Sequence, residues 1–144
     1  MRVPGCGWRR DGHDWHRTEV PLEPGLTAEL DLTVAEADTA RTMCSGDVDV
    51  LGTPRILALI EEATVQAVSG RLEDGETTVG TRVELSHLAP IAIGSKVRAE
   101  VTLEKVEGRR LIFTASVSDE VGLVAAGKIH RAVVQVEPFM EKAR

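Results

Sequence analysis

The sequence predicts an α+β fold in which one long central helix is wrapped by a curved, antiparallel five-stranded sheet. Three observations carry this reading. A strand-like run with period-2 alternation opens the patterned part of the chain, one strongly apolar helix follows, and four further alternating runs come after it between short Gly- or Pro-containing breaks. At 144 residues and 15.6 kDa the chain has the size of a single domain, so one core must account for every element.

Residues 1–24 read as a flexible leader and residues 25–144 as the folded domain. The leader mixes Gly, Pro, Arg and His with Trp8 and Trp15, has no helix or strand period, and ends in "VPLEPG", which is turn chemistry. It lacks the apolar segment of a signal peptide. His13 and His16 lie three apart there, without acidic or thiolate neighbours to complete a metal shell.

The elements then follow in order. "LTAELDLTV" alternates Leu26, Ala28, Leu30, Leu32 and Val34 against polar residues, a half-buried strand over 26–34. "AEADTARTMCSGDVDV" is polar and acidic, a mobile loop or short helix that is a candidate lid. In "LGTPRILALIEEATVQAVSG", Thr53 is placed to be an N-cap, Pro54 to be the first helical residue and Gly70 to be the stop, giving a helix over 54–69. Its apolar residues cover more than one stripe, so most of its circumference is expected to be buried.

The next strand, within "TTVGTRVELSHLAP", sets Val79, Thr81, Val83 and Leu85 on one parity, and that face ends in His87. Three further strands lie in "SKVRAEVTLEKV", "RRLIFTASVSD" and "GLVAAGKIHRAVVQV", and "EPFMEKAR" is a short helical or frayed tail. One helix cannot cover both faces of such a sheet, and an edge strand stays open. A homodimer pairing sheets edge to edge answers both problems, with higher assembly left open.

Charge and composition exclude several classes. A net charge of −6 with scattered basic residues offers no footprint for nucleic acid or an anionic membrane. Cys6 and Cys44 show no metal-ligand spacing and read as free thiols of a cytoplasmic protein, and no apolar run is long enough to span a bilayer. No cofactor and no metal is implied.

Three residue types stand out for chemistry. Glu61 and Glu62 interrupt the most apolar helix, His87 ends an apolar strand face, and Thr53 opens the helix. Each has an ordinary reading as well: a solvated glutamate pair, a satisfied core histidine, a simple cap. A carboxylate in a wrapped helix nevertheless needs a partner, and an imidazole pointing into the same interior is the obvious one. Thr53 and Glu61 are separated by about 12 Å of helical rise, so substrate, the preceding loop or a second subunit must join them. Gly80 lets the backbone approach a ligand, where its N–H could donate to an oxyanion; a strand bulge is the equally ordinary alternative.

"LGTPRILALIEEA", "VGTRVELSHLAP", "VEGRRLIFTASVSD" and "GKIHRAVV" together resemble, in order and spacing, the hot-dog-fold thioesterases of the fluoroacetyl-CoA thioesterase family. The resemblance covers about residues 26–140. It implies a dimeric hot-dog fold that hydrolyses an acyl-CoA thioester, with Thr53, Glu61 and His87 at the family's catalytic positions and the site at the dimer interface. It selects Glu61 over Glu62. Gly80 falls at a substrate-binding glycine and Arg131 at an arginine that orients substrate or coenzyme A. One departure is plain: fluoroacetyl-specific members resemble one another in a phenylalanine before the catalytic Thr, whereas this loop reads "SGDVDVLG" and the phenylalanines are Phe113 and Phe139. Fluoroacetyl specificity is therefore not assigned.

The mechanism this implies is attack on the thioester carbonyl by Glu61, or by water that Glu61 activates, with His87 moving the proton and Thr53 and the Gly80 N–H orienting the oxyanion. Arg109, Arg110, Lys128 and Arg131 are candidates for the anionic nucleotide. The fold also hosts hydratases and dehydratases of acyl thioesters, and a non-catalytic acyl-CoA-binding dimer is the reading from a different class.

Overall fold

A computed structural model describes residues 21–144; Cys6, Trp8, His13, Trp15 and His16 lie outside the described residues. In chain order the elements are β1 (Thr27–Thr33), a 3-10 turn (Glu36–Asp38), α1 (Thr53–Ala67), β2 (Glu76–His87), β3 (Lys96–Glu107), β4 (Arg110–Ser118), β5 (Leu123–Gln135) and α2 (Val136–Glu141). The strands form one five-stranded sheet of order β1-β3-β4-β5-β2, with every neighbouring pair antiparallel. Hairpins join β3 to β4 and β4 to β5. The β2–β3 connection instead crosses the sheet, because β2 is an edge.

The start of α1 differs from the sequence expectation. Gly52, extended at φ −75 and ψ 143, is the N-cap, and Thr53 is already helical. The reason lies in the preceding loop: the Gly52 N–H donates to the Asp38 carbonyl, while the Gly52 carbonyl accepts from the amides of Arg55 and Ile56. Room is also short, because a Cβ on Gly52 would come within 3.2 Å of the Ala40 backbone. The Thr53 hydroxyl is thereby freed from capping. The helix ends at Ala67, and Gly70 follows at φ +79, a left-handed stop that suits glycine.

The expectation of burial around most of α1 is corrected too. Its buried residues, Ile56, Leu59, Ile60, Ala63, Thr64 and Ala67, recur at three- and four-residue steps and form one stripe. That stripe packs on Val97, Ala99, Val101, Leu103, Leu111, Phe113 and Ile129 of the sheet, all in one core cluster. Each large side chain so buried contributes about 1.5–3 kcal/mol. Leu57 and Val65 are only half-buried and Glu62 is exposed.

The loop between the 3-10 turn and α1, expected as a mobile loop or short helix, is cross-braced. Arg41 Nε donates to Asp49 Oδ1 at 2.8 Å and its Nη2 to the Asp47 carbonyl at 2.6 Å. Arg55 Nε reaches back to Asp38 Oδ1 at 2.8 Å, tying the helix start to the turn. Cys44 is exposed within this loop at φ 57. No helix among the described residues is long and apolar enough to cross a membrane.

The register of β2 on β5 decides which β2 side chains face the helix. Thr78 pairs with Val133, Gly80 with Arg131, then Arg82 with His130, Val83 with Ile129 and His87 with Ala125. Thr81 is thus an extra residue, a bulge between Gly80 and Arg82. Directly paired residues share a face, so the helix-facing set is Thr78, Gly80, Val83, Leu85 and His87. Unbroken alternation predicts Val79, Thr81, Val83, Leu85 and His87; the bulge overturns its first half.

Candidate active site

The bulge has a direct consequence for the site. Gly80 and His87 are seven residues apart, an odd step that puts them on opposite faces of a regular strand. One inserted residue restores them to the same face.

Two groups of side chains result. In the first, the start of α1 meets the end of β2: Thr53 Oγ1 lies 2.8 Å from His87 Nδ1, and His87 Nε2 lies 3.0 Å from the Ala89 carbonyl. A carbonyl can only accept, so Nε2 carries the proton. In the neutral ring Nδ1 then accepts from the Thr53 hydroxyl. The imidazole is held at both nitrogens, and its Nδ1 is a base toward a hydroxyl.

The second group lies further along α1. Arg131 Nη1 donates to Glu61 Oε2 at 3.0 Å, Arg131 Nε to Thr78 Oγ1 at 3.0 Å, and Arg131 Nη2 to the Thr78 carbonyl at 2.8 Å. The Arg131 side chain is 6% exposed and that of Glu61 36%. Burial pulls the Arg131 guanidinium below the ordinary arginine range, and the Glu61 carboxylate pulls it back. Arg131 brings a buried positive charge to a carboxylate that still meets solvent.

Gly80 completes this group by what it lacks. A Cβ there would lie 2.7 Å from Glu61 Oε2 and 3.5 Å from Arg131 Nη1. The carboxylate occupies the space that any other residue would fill.

The expected Glu61–His87 pair is not formed within the chain. Glu61 is partnered by Arg131, because the turn of α1 that carries Glu61 lies over the β5–β2 register that carries Arg131, while His87 ends β2 beside the first turn of the helix. Arg131 itself is buried against Thr78 and Glu61. Of the other basic candidates, Arg109 Nη1 reaches the Val133 carbonyl at 3.3 Å and Glu76 at 3.7 Å, and Arg110 is exposed at the β3–β4 hairpin. Lys128 takes the strand parity opposite to Ile129 and Arg131, so it faces away from α1.

Thr78 escaped the sequence reading. Its only signal was a hydroxyl two positions before Gly80, and uninterrupted alternation had assigned that parity to the outer face. No group of three or more His, Cys, Asp or Glu among the described residues is arranged to hold a metal ion.

Comparison with known proteins places the whole chain. Residues 34–137 match the family model described as FlK, fluoroacetyl-CoA-specific thioesterase. The fluoroacetyl-CoA thioesterase of Streptantibioticus cattleyicolor is 36% identical over 96 residues, which is 67% of this chain and 69% of that protein. A solved structure of the fluoroacetyl-CoA thioesterase FlK superposes with a TM-score of 0.81 at 31% identity, covering 85% of this chain and 96% of that one. A hot-dog-like protein from Thermanaerovibrio acidaminovorans superposes with a TM-score of 0.76 at 27% identity, over 83% of this chain and 88% of its own. With its helix-wrapping sheet and a family match across most of its length, the chain belongs to the fluoroacetyl-CoA-specific thioesterase family, thioester hydrolases of the hot-dog fold.

Proposed function

We propose that this chain hydrolyses an acyl-CoA thioester to the free acid and CoA, using Thr53, Glu61 and His87 in a site completed across a homodimer. The observation that carries the reading is the 2.8 Å contact between Thr53 Oγ1 and His87 Nδ1. A hydroxyl held on a base with a defined tautomer is suited to moving a proton at a reacting carbonyl.

Glu61 supplies the attacking group, either its own carboxylate, giving a transient anhydride that water opens, or a water that it deprotonates. In the water route the proton taken from water passes by way of His87 to the departing sulfur; in the anhydride route CoA leaves as the thiolate, and the water that opens the anhydride supplies its proton. When substrate binds, the Thr53 hydroxyl turns from His87 Nδ1 to donate to the carbonyl, which frees that nitrogen to take up a proton, and the Gly80 N–H is the proposed oxyanion donor. Arg131, tied to Glu61 and Thr78, acts on the substrate through Glu61 rather than by touching CoA.

The dimer reading rests on β2. It is a twelve-residue edge strand, exposed over residues 80–84, with Val83 39% exposed although it takes the helix-facing parity. An antiparallel two-fold placed at Glu84 pairs residues that share a face and, with Thr81 bulged out, sets His87 opposite Gly80 of the partner subunit. Glu61 of the partner subunit then stands near the Thr53–His87 pair. This supports a composite site, since neither group is complete alone.

The acyl group is proposed as short or branched, because residues 39–50 contain no aromatic side chain to close over it. The test is CoA release from a panel of short, branched and fluoroacetyl thioesters, read with a thiol reagent, for the parent chain, Glu61→Gln and His87→Ala. Activity in the parent and its loss in both variants is expected. No release from any thioester defeats the hydrolase reading, and parent-like variants defeat the site. A monomeric mass by light scattering at assay concentration defeats the shared site.

A further inference from the structure

We infer that Thr78 is a positioning residue: by clamping Arg131 it sets where the Glu61 carboxylate stands. The inference rests on the reading that Glu61 does the chemistry, but its own observations are geometric. Thr78 is 6% exposed and is among the few polar side chains buried in the described residues. It offers two acceptors to one guanidinium, its hydroxyl to Nε at 3.0 Å and its carbonyl to Nη2 at 2.8 Å. The guanidinium is planar and its donors are fixed relative to one another. Once Nε and Nη2 are held, the plane cannot turn, and Nη1 has one direction left, toward Glu61 Oε2 at 3.0 Å.

Strand register makes this clamp possible. Thr78 and Gly80 sit on the same face of β2 ahead of the bulge, opposite Val133 and Arg131 of β5. The Arg131 side chain therefore leans along the strand from its own partner, Gly80, to the next helix-facing residue, Thr78. Gly80 leaves the gap for the carboxylate while Thr78 supplies the anchor. The bulge at Thr81 then returns the face to His87.

A buried arginine needs acceptors in any case, so a purely structural role must be separated from positioning. Thr78→Val keeps the shape and removes the hydroxyl acceptor; Thr78→Ser keeps the acceptor; Thr78→Ala covers the case in which the valine variant does not fold. The first readout is the ¹⁵N spectrum of the Arg131 guanidinium, where a clamped group shows slow rotation about the Nε–Cζ bond and separate Nη signals. Thr78→Val and Thr78→Ala are expected to average those signals, and Thr78→Ser to retain them.

The second readout is the split between kcat and KM. A displaced catalytic group of about 1 Å can cost about 10²-fold in rate, so kcat of Thr78→Val is expected to fall about 10- to 100-fold with KM nearly unchanged. Thr78→Ser recovers most of it. In a Glu61→Gln background Thr78→Val has no further effect on kcat, because the group it positions is gone. Parent-like guanidinium signals in both Thr78→Val and Thr78→Ala overturn the inference, as does a loss of thermal stability with kcat unchanged. A parent-like rate in Glu61→Gln, found together with the spectral change in Thr78→Val, defeats the reading of Glu61 and still supports the clamp.

Discussion

Thr53 Oγ1 stands 2.8 Å from His87 Nδ1, although 34 positions of chain separate the two residues. The contact exists because Gly52, not Thr53, caps α1, and because β2 ends with its helix-facing parity on His87. Removing either group is expected to lower kcat by about 10²–10⁴-fold, the range for a positioned proton-transfer group. Thr53→Ser keeps the hydroxyl and is expected to retain far more activity than Thr53→Val. Thr53 is exposed, so unfolding midpoints of both variants should stay close to the parent. A Thr53→Val enzyme with parent kcat would sink this assignment.

Gly80→Ala tests the gap beside Glu61. The added Cβ meets Glu61 Oε2 at 2.7 Å, the far end of a flexible side chain, so the carboxylate moves and the backbone need not. The expected outcome is a folded protein whose kcat is down by about 10²-fold, in line with a misplaced reacting group. Steady-state kinetics beside a thermal melt decide it: equal losses of stability and activity would point to a strand defect instead.

Gly127→Ala is the contrasting glycine. Its Cβ would run into the Glu84 carbonyl of the neighbouring strand, and backbone cannot step aside as a side chain can. Overpacking of this kind costs about 1–3 kcal/mol. Because Gly127 pairs with Leu85 on the way to His87, urea unfolding should show a lower midpoint, with loss of activity following it. An unchanged midpoint would contradict the close approach of β2 and β5.

Asp31 gives a pH prediction on the opposite edge of the sheet. Arg98 and Lys96 hold its carboxyl down from 3.8 to about 2, chiefly through the hydrogen bonds with Arg98 at 2.8 Å and Lys96 at 3.1 Å. A pKa depressed on folding contributes stability that is full above the unfolded value and is lost as pH falls through the folded one. The window is therefore pH 3.8 down to about 2. Urea unfolding of the parent and Asp31→Asn should differ at neutral pH and converge near pH 2. A gap that persists into acid would refute the ion-pair origin.

Much of this was legible in the sequence. Period-2 runs located all five strands within a few residues, and "LGTPRILALIEEATVQAVSG" located α1 within two, because alternation and a Pro-initiated apolar helix are local properties of the chain. The choice of Glu61 over Glu62 came from family resemblance; in the structure Glu62 is exposed and Glu61 is paired with Arg131. The cap residue was misread because Thr53 and Gly52 are both acceptable caps. The choice fell to the Asp38 carbonyl, which takes up the Gly52 amide from fourteen residues upstream.

By itself, then, the sequence determined the element order, the helix-wrapping α+β plan and the residue types proposed for the chemistry, since all of these follow from periodicity and side-chain identity. Only the tertiary structure decided which groups meet. The bulge at Thr81 is a property of β2 paired with β5, invisible in either strand alone, and it carries Gly80 and His87 to one face and Thr78 under Arg131. A one-residue shift of register exchanges the two faces of a strand. The partner of Glu61 was therefore a fact of pairing, and pairing is settled by long-range contacts that no local pattern records.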